Sequence, residues 1–254
     1  MEYIFIGVNY NSSYLIEPWV ESIKSKAPNY QIIIVDNFSN NNERNKIKDL
    51  SEKLSFKLIE SENTGYSKAM NQALILYKNR IKNAVIFCGN LDVIFSNIPK
   101  NLKDGNFVYI PIVKELKRKN RNPFLTNLQK KVIPIYSLSA KRKSIALYYL
   151  AIIVNKFIGF IPSKIWAIHG SLFCFNSSLI NDTDDLPFNN DSFLYGEEIE
   201  FASYIESKNF ILVKSKITIN HLANATTSLI IKNQQQFINL WAPSFINYIK
   251  RWNI

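Results

Sequence analysis

Short hydrophobic runs alternate with amphipathic segments over the first 110 residues, and this alternation constrains the fold more than any other feature of the chain. The clearest run is Gln31-Ile32-Ile33-Ile34-Val35, whose continuous β-branched side chains are typical of a parallel strand covered on both faces. Strands are predicted at residues 3–8, 31–35, 56–59 and 84–88, and helices at 14–26, 43–54 and 66–77. This order predicts a doubly wound α/β sheet, whose ligands bind beyond the carboxyl ends of the strands.

The first predicted helix has the period of a buried stripe, because Leu15, Trp19 and Ile23 recur every four residues. Ser12 or Ser13 precedes the helix and is expected to cap its first turn. The hydrophobic fraction of 47%, with 7 glycines and 9 prolines in 254 residues, is that of a globular chain. The length allows a sizeable core.

Polar residues follow each of the four predicted strands. They are Asn9 and Asn11, Asp36 and Asn37, Asn63 and Gly65, and Asn90 and Asp92. Any one of them could serve only a turn or a helix cap, and Gly65 is expected to adopt a positive φ angle. Their repetition at strand ends that share one edge of a sheet favours a binding crevice instead. There, a carboxylate such as Asp36 can accept hydrogen bonds from a pyrimidine N–H or a ribose hydroxyl.

An acidic cluster, Tyr195-Gly196-Glu197-Glu198-Ile199-Glu200, opens a predicted helix far downstream of Asn90-Leu91-Asp92. Asp92 can hold a divalent cation against a phosphate, and a carboxylate at or near Glu198 can take a proton from an attacking hydroxyl. Glu200 is interpreted as a structural acid that the helix dipole favours. The two motifs together predict a metal-assisted group transfer.

The chain has two histidines, and both are candidates for the site. His221 follows an alternating segment typical of a late strand. His169 precedes Gly170-Ser171 and is either a pocket residue or a histidine whose ring is satisfied by nearby backbone. Neither belongs to a Ser-His-Asp or Cys-His arrangement, and the chain has no glycine-rich phosphate loop, so hydrolase and P-loop functions are not supported.

The net charge of +11 is concentrated in the middle of the chain. Residues 111–166 hold 12 basic and 1 acidic residue, a balance of +11, whereas residues 1–110 balance at +2 and residues 167–254 at −2. The basic residues are followed by an apolar stretch at 145–161, interrupted by Asn155, Lys156 and Gly159. The interruptions argue against a helix that spans a bilayer and favour one that lies in the headgroup region. The alternative is a buried core helix beside a solvated basic loop, and no nucleic-acid motif accompanies the charge.

The C-terminal segment carries an aromatic stripe that includes Phe237, Trp241, Phe245 and Trp252. It is predicted to form amphipathic helices broken at Pro243, whose stripe serves as core or as a dimer contact, with a membrane anchor as the alternative. The two cysteines, Cys88 and Cys174, lie in apolar runs and are interpreted as reduced core thiols. Because the first residues also lack a positive leader, a cytoplasmic location is expected.

In the order and spacing of its motifs, the chain resembles the family 2 glycosyltransferases with the GT-A fold, particularly the bacterial rhamnosyltransferase-like branch that builds surface polysaccharides. The resemblance covers most of the chain and rests on Val8-Asn9-Tyr10-Asn11, Val35-Asp36-Asn37, Glu62-Asn63-Thr64-Gly65-Tyr66 with Ala69 and Asn71, Asn90-Leu91-Asp92, Gly170-Ser171, residues 195–201, and His221.

The resemblance implies an α/β fold with a Rossmann-like mixed sheet flanked by helices, a basic and apolar helical insertion, and a C-terminal helical segment. It implies one domain over residues 1–254. Within it, residues 1–110 form the nucleotide-binding half, 111–166 the insertion, 167–230 the acceptor-side half with the acidic motif, and 231–254 the C-terminal helices.

The resemblance also implies roles for single residues. Asp36 would contact the nucleoside, Asn63 and Gly65 would support the nucleotide pocket, and Asp92 would bind Mg²⁺ or Mn²⁺ with His221 completing the protein ligands. The donor-side set is Asn9, Asn11, Asp36, Asn37, Asn63, Gly65, Asn71, Asn90 and Asp92, and the acceptor-side set is His169, Gly170, Ser171 and Tyr195. The family's acidic motif falls on Glu197-Glu198, which makes Glu198 the expected base and Glu197 the other candidate.

The chain departs from the family pattern at two positions. Glu198 stands where an aspartate is usual, which lengthens the side chain by one methylene group. Asn90 stands where the first aspartate of the metal motif is usual, so one carboxylate fewer is available and a weaker metal site is expected.

The expected reaction is an inverting transfer of a sugar from a UDP- or dTDP-linked donor to a hydroxyl of a saccharide or a polyprenyl-diphosphate-linked acceptor. Peripheral contact with the inner face of the cell membrane is expected, and nucleic acid is not expected as a partner. The alternative is a catalytically silent GT-A domain that binds a nucleotide sugar within an assembly complex.

Overall fold

An eight-stranded mixed sheet carries the fold of this computed structural model, which describes residues 1–78, 83–115, 120–180, 185–222 and 233–254. Its strands are β1 (Glu2–Asn9), β2 (Tyr30–Asn37), β3 (Lys57–Ser61), β4 (Ala84–Asn90), β5 (Val93–Asn97), β6 (Phe107–Lys114), β9 (Leu172–Asn176) and β10 (Ile211–His221). A separate antiparallel pair is formed by β7 (Leu125–Thr126) and β8 (Ile165–Ala167).

The helices are α1 (Ile16–Lys24), α2 (Asn41–Leu54), α3 (Tyr66–Tyr77), α4 (Ile133–Arg142), α5 (Ile145–Ile158), α6 (Glu197–Ser207) and α7 (Gln234–Trp252). Short 3₁₀ turns lie at Ser13–Leu15, Gln129–Val132 and Ser177–Ile180. The predicted βαβαβαβ order of the first half is therefore confirmed, with boundaries that differ by a few residues.

The strand order is β3-β2-β1-β4-β9-β6-β10-β5. The first four strands in this order are parallel, as predicted, and helices connect β1 to β2, β2 to β3 and β3 to β4. β9 runs antiparallel to β4 and β6, and β5 runs antiparallel to β10. The sheet is thus mixed, as the family resemblance implied. β6 crosses residue 110, so the first residues of the predicted insertion belong to the sheet.

Hydrophobic clusters cover both faces of the sheet. One contains Trp19 and Ile23 of α1 with Phe5, Phe87 and other sheet residues. The opposite face packs against α3 and α6. The stripe predicted in the first helix is therefore buried. Cys88 and Cys174 are free thiols within this core, as predicted.

Two local predictions are wrong. Neither Ser12 nor Ser13 caps the first helix, because a 3₁₀ turn at Ser13–Leu15 precedes it and its N-cap residue is Leu15. Pro243 does not break the C-terminal segment, which is a single helix from Gln234 to Trp252. Trp241 and Phe245, on either side of Pro243, are both buried.

A third hydrophobic cluster joins α4, α6 and α7 and contains the C-terminal aromatic stripe. Trp241 and Phe245 pack against each other, with ring centroids 4.9 Å apart, and both contact Tyr136 of α4. The interpretation of the stripe as core is confirmed. α5, in contrast, contributes only Ala151 as a buried residue, so the alternative of a buried core helix at 145–161 is wrong.

Candidate active site

The polar ends of the parallel strands meet at one edge of the sheet. In the strand register, Asn9 lies opposite Asp36 and Val8 lies opposite Asn90. A cavity of about 230 Å³ opens at this edge. Its lining includes four of the predicted donor-side residues, Asn37, Asn63, Gly65 and Asn90, together with Tyr66 and Phe193.

Gly65 allows two walls of this cavity to pack closely. Its φ angle is +89°, as predicted for a glycine before the third helix, and a β-carbon there would lie 2.5 Å from the carbonyl oxygen of Phe193. The next N–H, that of Tyr66, donates to the same carbonyl at 3.0 Å. A side chain at position 65 would therefore separate the start of α3 from the loop that precedes α6.

Asn37 links the ends of β2 and β3. Its Oδ1 accepts a hydrogen bond from the backbone N–H of Thr64 at 3.1 Å, and its Nδ2 donates to Oδ1 of Asn63 at 3.2 Å. The cavity wall formed by these loops is thus fixed by side-chain amides rather than by the sheet itself.

Asp36 lies behind that wall and is 1% exposed. Its Oδ1 accepts from Asn9 Nδ2 at 3.1 Å and from the Ser39 hydroxyl, and Arg44 Nε lies 3.7 Å from its Oδ2. In this structure Asp36 anchors the loop after β2, and Asn37 is the member of the pair that lines the cavity. Contact between Asp36 and a nucleoside stays a prediction.

Two other predicted donor-side asparagines are held in structural contacts. Asn11, at a φ angle of +51°, accepts from the backbone and the side chain of Asn40, both at 2.9 Å. Asn71 is buried on α3, where its Nδ2 donates to the carbonyl of Phe188 at 2.7 Å and to Asn190 at 2.8 Å. Neither residue is part of the cavity lining.

The sheet topology brings Asp92 and His221 together. β5 is antiparallel to β10, so the start of β5, just after Asp92, meets the end of β10 at His221. β6 is parallel to β10, so Glu115, which follows β6, reaches the same point. His221 Nε2 lies 3.4 Å from Asp92 Oδ1, and His221 Nδ1 lies 3.0 Å from Glu115 Oε1.

This cluster fits a divalent cation. Asp92 is 4% exposed, and its Oδ1 has no hydrogen-bond partner among the described residues, which is costly unless another group satisfies it. Glu115 occupies the other ring nitrogen of His221, the arrangement that orients a histidine toward a metal. A separation of 3.4 Å between Nε2 and Oδ1 allows both atoms to contact one ion at ligand distances of roughly 2.1 Å.

His169 adds a second imidazole to the cluster. Glu115, His169 and His221 each offer one ligand atom, and these three atoms lie within 4.8 Å of one another. Burial, with the nearby charges of His221 and Arg121, lowers the pKa of His169 to about 4, so its ring is neutral at neutral pH. For His221, burial opposes protonation, but the carboxylates of Asp92 and Glu115 outweigh it and raise the pKa.

The acidic pair opens α6, as predicted. Tyr195 and Gly196 precede it with φ angles of 70° and 94°, and this left-handed turn places Glu197 and Glu198 in the first helical turn. The free N–H groups of a helix start favour carboxylates at this position. Glu197 is buried with one oxygen unpartnered, whereas Glu198 is only partly buried.

Glu198 packs directly on the loop before β9. A β-carbon at Gly170 would lie 2.6 Å from Glu198 Oε1. Burial raises the pKa of Glu198, although the backbone of Glu198 and Gly170 and the charge of Arg121 partly offset the rise. A carboxylate with a raised pKa is a stronger base, which suits proton abstraction from a hydroxyl.

Backbone contacts connect the acidic pair to the cavity at the strand ends. The carbonyl of Ser171, next to Gly170, accepts a hydrogen bond from the N–H of Asn90 at 3.1 Å. Tyr66, which lines the cavity, has a buried hydroxyl without a partner among the described residues. Burial raises its pKa, and the charges of Glu197, Cys88, Asp92 and Glu198 add to the effect.

Glu200 points away from this site. Its Oε1 accepts from Arg251 at 2.6 Å and from the indole N–H of Trp252 at 3.0 Å, which ties α6 to α7. Burial raises the pKa of Glu200, and the charge of Arg251 opposes the rise. Its role as a structural acid is consistent with these contacts.

Three residues of the site were missed from the sequence. Glu115 and Arg121 have no predicted role, because the charge of their segment predicts an interaction surface, and Tyr66 is named only within the motif of residues 62–66. Arg121 Nε lies 3.4 Å from Glu115 Oε1 and so belongs to the cluster. One feature of the sequence does set Glu115 apart, because it is the single acidic residue among residues 111–166.

A larger open groove lies elsewhere. It measures about 830 Å³ and is lined by Ile75, Asp185, Asn190, Lys250 and Arg251, among others. None of the predicted site residues lines it, so size alone does not identify the active site here.

Residues 5–88 of the chain match the family model described as Glycosyl transferase family 2. The match runs through β1 to β4 and so includes most of the strand ends that border the cavity. A comparison with curated proteins gives no match.

Solved glycosyltransferase structures share the fold over nearly the whole chain. S. aureus TarS is 13% identical with a TM-score of 0.55, over 98% of this chain and 43% of TarS, so the chain spans less than half of that protein. The mannosyltransferase PcManGT from Pyrobaculum calidifontis, solved with GDP-Man and Mn²⁺, is 13% identical with a TM-score of 0.55, over 98% of this chain and 73% of that one.

Glucosyl-3-phosphoglycerate synthase from Mycobacterium tuberculosis, solved with Mn²⁺, UDP and glucosyl-3-phosphoglycerate, is 11% identical with a TM-score of 0.53. The alignment covers 99% of this chain and 80% of the synthase. At these identities the likeness establishes the fold, and the family-model match supports the predicted glycosyltransferase class of enzyme. The chain thus has the GT-A fold of glycosyltransferases, with a segment similar to glycosyl transferase family 2 over residues 5–88.

Proposed function

We propose that the chain is an inverting glycosyltransferase that moves a hexosyl unit from a UDP- or dTDP-linked donor to a hydroxyl of a saccharide or a polyprenyl-diphosphate-linked acceptor. The observation that carries the proposal is the meeting of three groups at one sheet edge. These are the cavity at Asn37, Asn63 and Gly65, the cluster of Asp92 and His221, and Glu198, a partly buried residue.

The donor nucleotide would occupy the cavity at the strand ends. Asn37 and Asn63 offer amide groups to a base or a ribose, and the ring of Tyr66 offers an apolar surface. Asp92 and His221 would hold Mg²⁺ or Mn²⁺, which when bound neutralises the charge that develops on a departing diphosphate.

Glu198 would act as the base. The acceptor oxygen forms a bond to the anomeric carbon as the bond from that carbon to the diphosphate oxygen breaks, and the acceptor proton passes to the Glu198 carboxylate. The electron pair of the broken bond leaves with the nucleoside diphosphate. Attack from the face opposite the leaving group inverts the configuration.

A substitution at Glu198 tests this assignment. Glu198→Gln keeps the shape and removes the basic oxygen, so turnover should fall by roughly 10²-fold or more while nucleotide binding is retained. Glu206→Gln is the control, because Glu206 is on the same helix and its side chain is 56% exposed. Full turnover in Glu198→Gln would assign the proton transfer to another group, with Glu197 the next candidate.

The donor can be identified by thermal shift. UDP, dTDP, GDP and CMP are each tested with and without Mn²⁺, since a ligand that binds only the folded state raises its melting temperature. Stabilisation by one nucleotide that depends on Mn²⁺ is the expected result. The absence of a shift from every nucleotide would contradict donor binding by this chain.

The rival function is a catalytically silent GT-A domain that binds a nucleotide sugar within an assembly complex. Asn90 in place of a second carboxylate and the internal hydrogen bonds of Asp36 favour it. The two functions differ in one measurement, because a silent domain has nucleotide binding but no turnover for Glu198→Gln to remove.

The setting that best fits this activity is bacterial surface polysaccharide synthesis, either lipopolysaccharide or capsule, as in the rhamnosyltransferase-like branch. A polyprenyl-diphosphate acceptor lies at the cytoplasmic face of the cell membrane, so the proposal includes a cytoplasmic protein that contacts that face peripherally. The buried, unpaired thiols of Cys88 and Cys174 are compatible with a reducing compartment.

A further inference from the structure

α5 is apolar on both sides, but only one side is packed. On the inner side, Tyr148 contacts Phe237 and Trp241 of α7, with ring centroids 5.2 Å and 5.0 Å apart, and Ala151 is buried. The outer side makes no comparable contact within the described part of the chain. Its large apolar side chains face solvent.

The outer side forms a continuous stripe that we name the α5 apolar face. It consists of Tyr149, Leu150, Ile153 and Phe157 with Phe160 and Ile161 after the helix. Tyr149, Ile153 and Phe157 recur every four residues, so they lie on one side of the helix. Phe157 is 69% exposed and Phe160 is 75% exposed, and a contiguous apolar patch of this kind marks an interaction site.

The helix cannot span a bilayer. With 14 residues at ~1.5 Å per residue it measures about 21 Å, against roughly 30 Å for a hydrocarbon core. Among the described residues, no helix has the length and apolar content that a membrane crossing requires. If α5 contacts lipid, it does so lying along the surface.

Basic residues lie at the start of α5 and within it. Lys141, Arg142 and Lys143 immediately precede the helix and are exposed, and Lys156 lies one position before Phe157 and is exposed. Residues 120–166 contain no Asp or Glu, so no carboxylate within this stretch offsets their charge. Basic residues beside an apolar helix face complement an anionic lipid surface.

We infer that the α5 apolar face inserts into the headgroup region of an anionic lipid leaflet, with Lys141, Arg142, Lys143 and Lys156 contacting lipid phosphates. A second copy of the chain fits this face less well, because a symmetric dimer would bring two sets of like charges together. The inference concerns lipid binding alone. It holds or fails independently of the proposed transferase activity.

Vesicle co-sedimentation of the full chain tests the inference. Phosphatidylcholine vesicles with phosphatidylglycerol added are compared with pure phosphatidylcholine vesicles, and binding to the anionic vesicles only is the expected result. Ile153→Glu with Phe157→Glu should weaken that binding by about tenfold or more, because two apolar side chains that would insert into the lipid are replaced by charged ones.

The matched control is Ile75→Glu with Leu76→Glu on α3, whose side chains are 51% and 59% exposed. It adds the same charge at a remote apolar site and should retain most of the binding. Circular dichroism and melting temperature show that both variants fold. Equal losses in the two double variants, or no vesicle binding by the unaltered chain, would overturn the inference.

A second comparison tests whether vesicle binding depends on the basic residues next to α5 or on the net charge of the whole chain. Lys141→Glu, Arg142→Glu and Lys143→Glu together, or Lys26→Glu, Lys100→Glu and Lys216→Glu together, each change the net charge of +11 by six units. Only the first set should abolish binding at physiological salt. Equal effects of the two sets would contradict the inference, as would light scattering that shows a dimer held by the α5 apolar face without lipid.

Discussion

Gly170 and Glu198 fit together so closely that a side chain at position 170 would displace the Glu198 carboxylate. A β-carbon on Gly170 would lie 2.6 Å from Oε1 and 2.9 Å from Cδ of Glu198. The loop before β9 therefore sets the position of the carboxylate that we propose as the base.

Gly170→Ala is expected to displace Glu198 and to lower kcat by roughly tenfold or more, because a general base must stay within hydrogen-bond reach of its proton. Nucleotide binding should change little, since Gly170 does not line the donor cavity. Steady-state kinetics and a nucleotide titration measure the two effects. Gly159→Ala, at the end of α5, is the control, because its closest neighbour is the end of the flexible Gln129 side chain.

A loss of nucleotide affinity in Gly170→Ala equal to the loss of kcat would contradict this account. It would mean that the loop supports the donor cavity as a whole, through the hydrogen bond from the Asn90 N–H to the Ser171 carbonyl.

Asp92→Asn and His221→Ala are each expected to abolish Mn²⁺-dependent stabilisation by nucleotide. The first removes a carboxylate charge and the second removes the imidazole, the two groups that approach within 3.4 Å. Calorimetric titration of Mn²⁺ in the presence of UDP measures the effect without any turnover. Unchanged Mn²⁺ affinity in both variants would place the metal elsewhere.

Glu115→Gln is expected to weaken Mn²⁺ binding by roughly 10- to 100-fold, the usual cost of removing a partner that orients a metal-binding histidine. Its carboxylate lies 3.0 Å from His221 Nδ1. If Glu115 instead binds the ion directly, Glu115→Gln should resemble Asp92→Asn in size. The same titration distinguishes these two roles.

The position of the cavity at the strand ends was predictable because its signals are local. A continuous β-branched run such as residues 31–35 predicts a parallel strand, and the polar residues after it then lie at the binding edge. The sequence does not show which of two adjacent polar residues faces the cavity. Side chains alternate along a strand, so a shift of one position decides between Asp36 and Asn37.

The other half of the site depends on contacts between distant residues. Glu115 joins His221 only because β6 and β10 are neighbours in the sheet, and no local pattern predicts that pairing. The exposure of the outer side of α5 could not be predicted for the same reason. An apolar helical segment can be buried or exposed, and its sequence does not decide which. In the structure, α7 packs on the inner side of α5 and leaves the outer side exposed.

Gly65→Ala is expected to destabilise the protein and to weaken nucleotide binding together. An alanine at a φ angle of +89° is strained, and its β-carbon would meet the Phe193 carbonyl at 2.5 Å. A loss of about 2 kcal/mol or more in the free energy of unfolding is expected from strain and displacement combined. Urea unfolding and a nucleotide titration at low temperature measure the two losses, and an unchanged midpoint would contradict the close contact.

Glu197→Gln is expected to stabilise the protein at neutral and higher pH. Burial and the charge of Glu198 raise the pKa of Glu197 above its usual value of 4.5, so the folded state holds this proton more tightly than the unfolded chain. Between the two pKa values folding takes up a proton, and stability therefore decreases as pH rises. Each unit of elevation corresponds to about 1.4 kcal/mol, or roughly 3–6 °C in Tm for a chain of this size.

The difference in Tm between Glu197→Gln and the unaltered chain should therefore be small at pH 4. It should grow as pH rises from the pKa of Glu197 in the unfolded chain to its pKa in the folded protein, and level off above that. Thermal unfolding without nucleotide or metal, measured from pH 4 to pH 9, gives this curve. Glu52→Gln, at an exposed position of α2, should leave Tm unchanged across the range. A Glu197→Gln variant that is less stable at high pH would show that the Glu197 carboxylate is stabilised in its charged form, contrary to its burial beside Glu198.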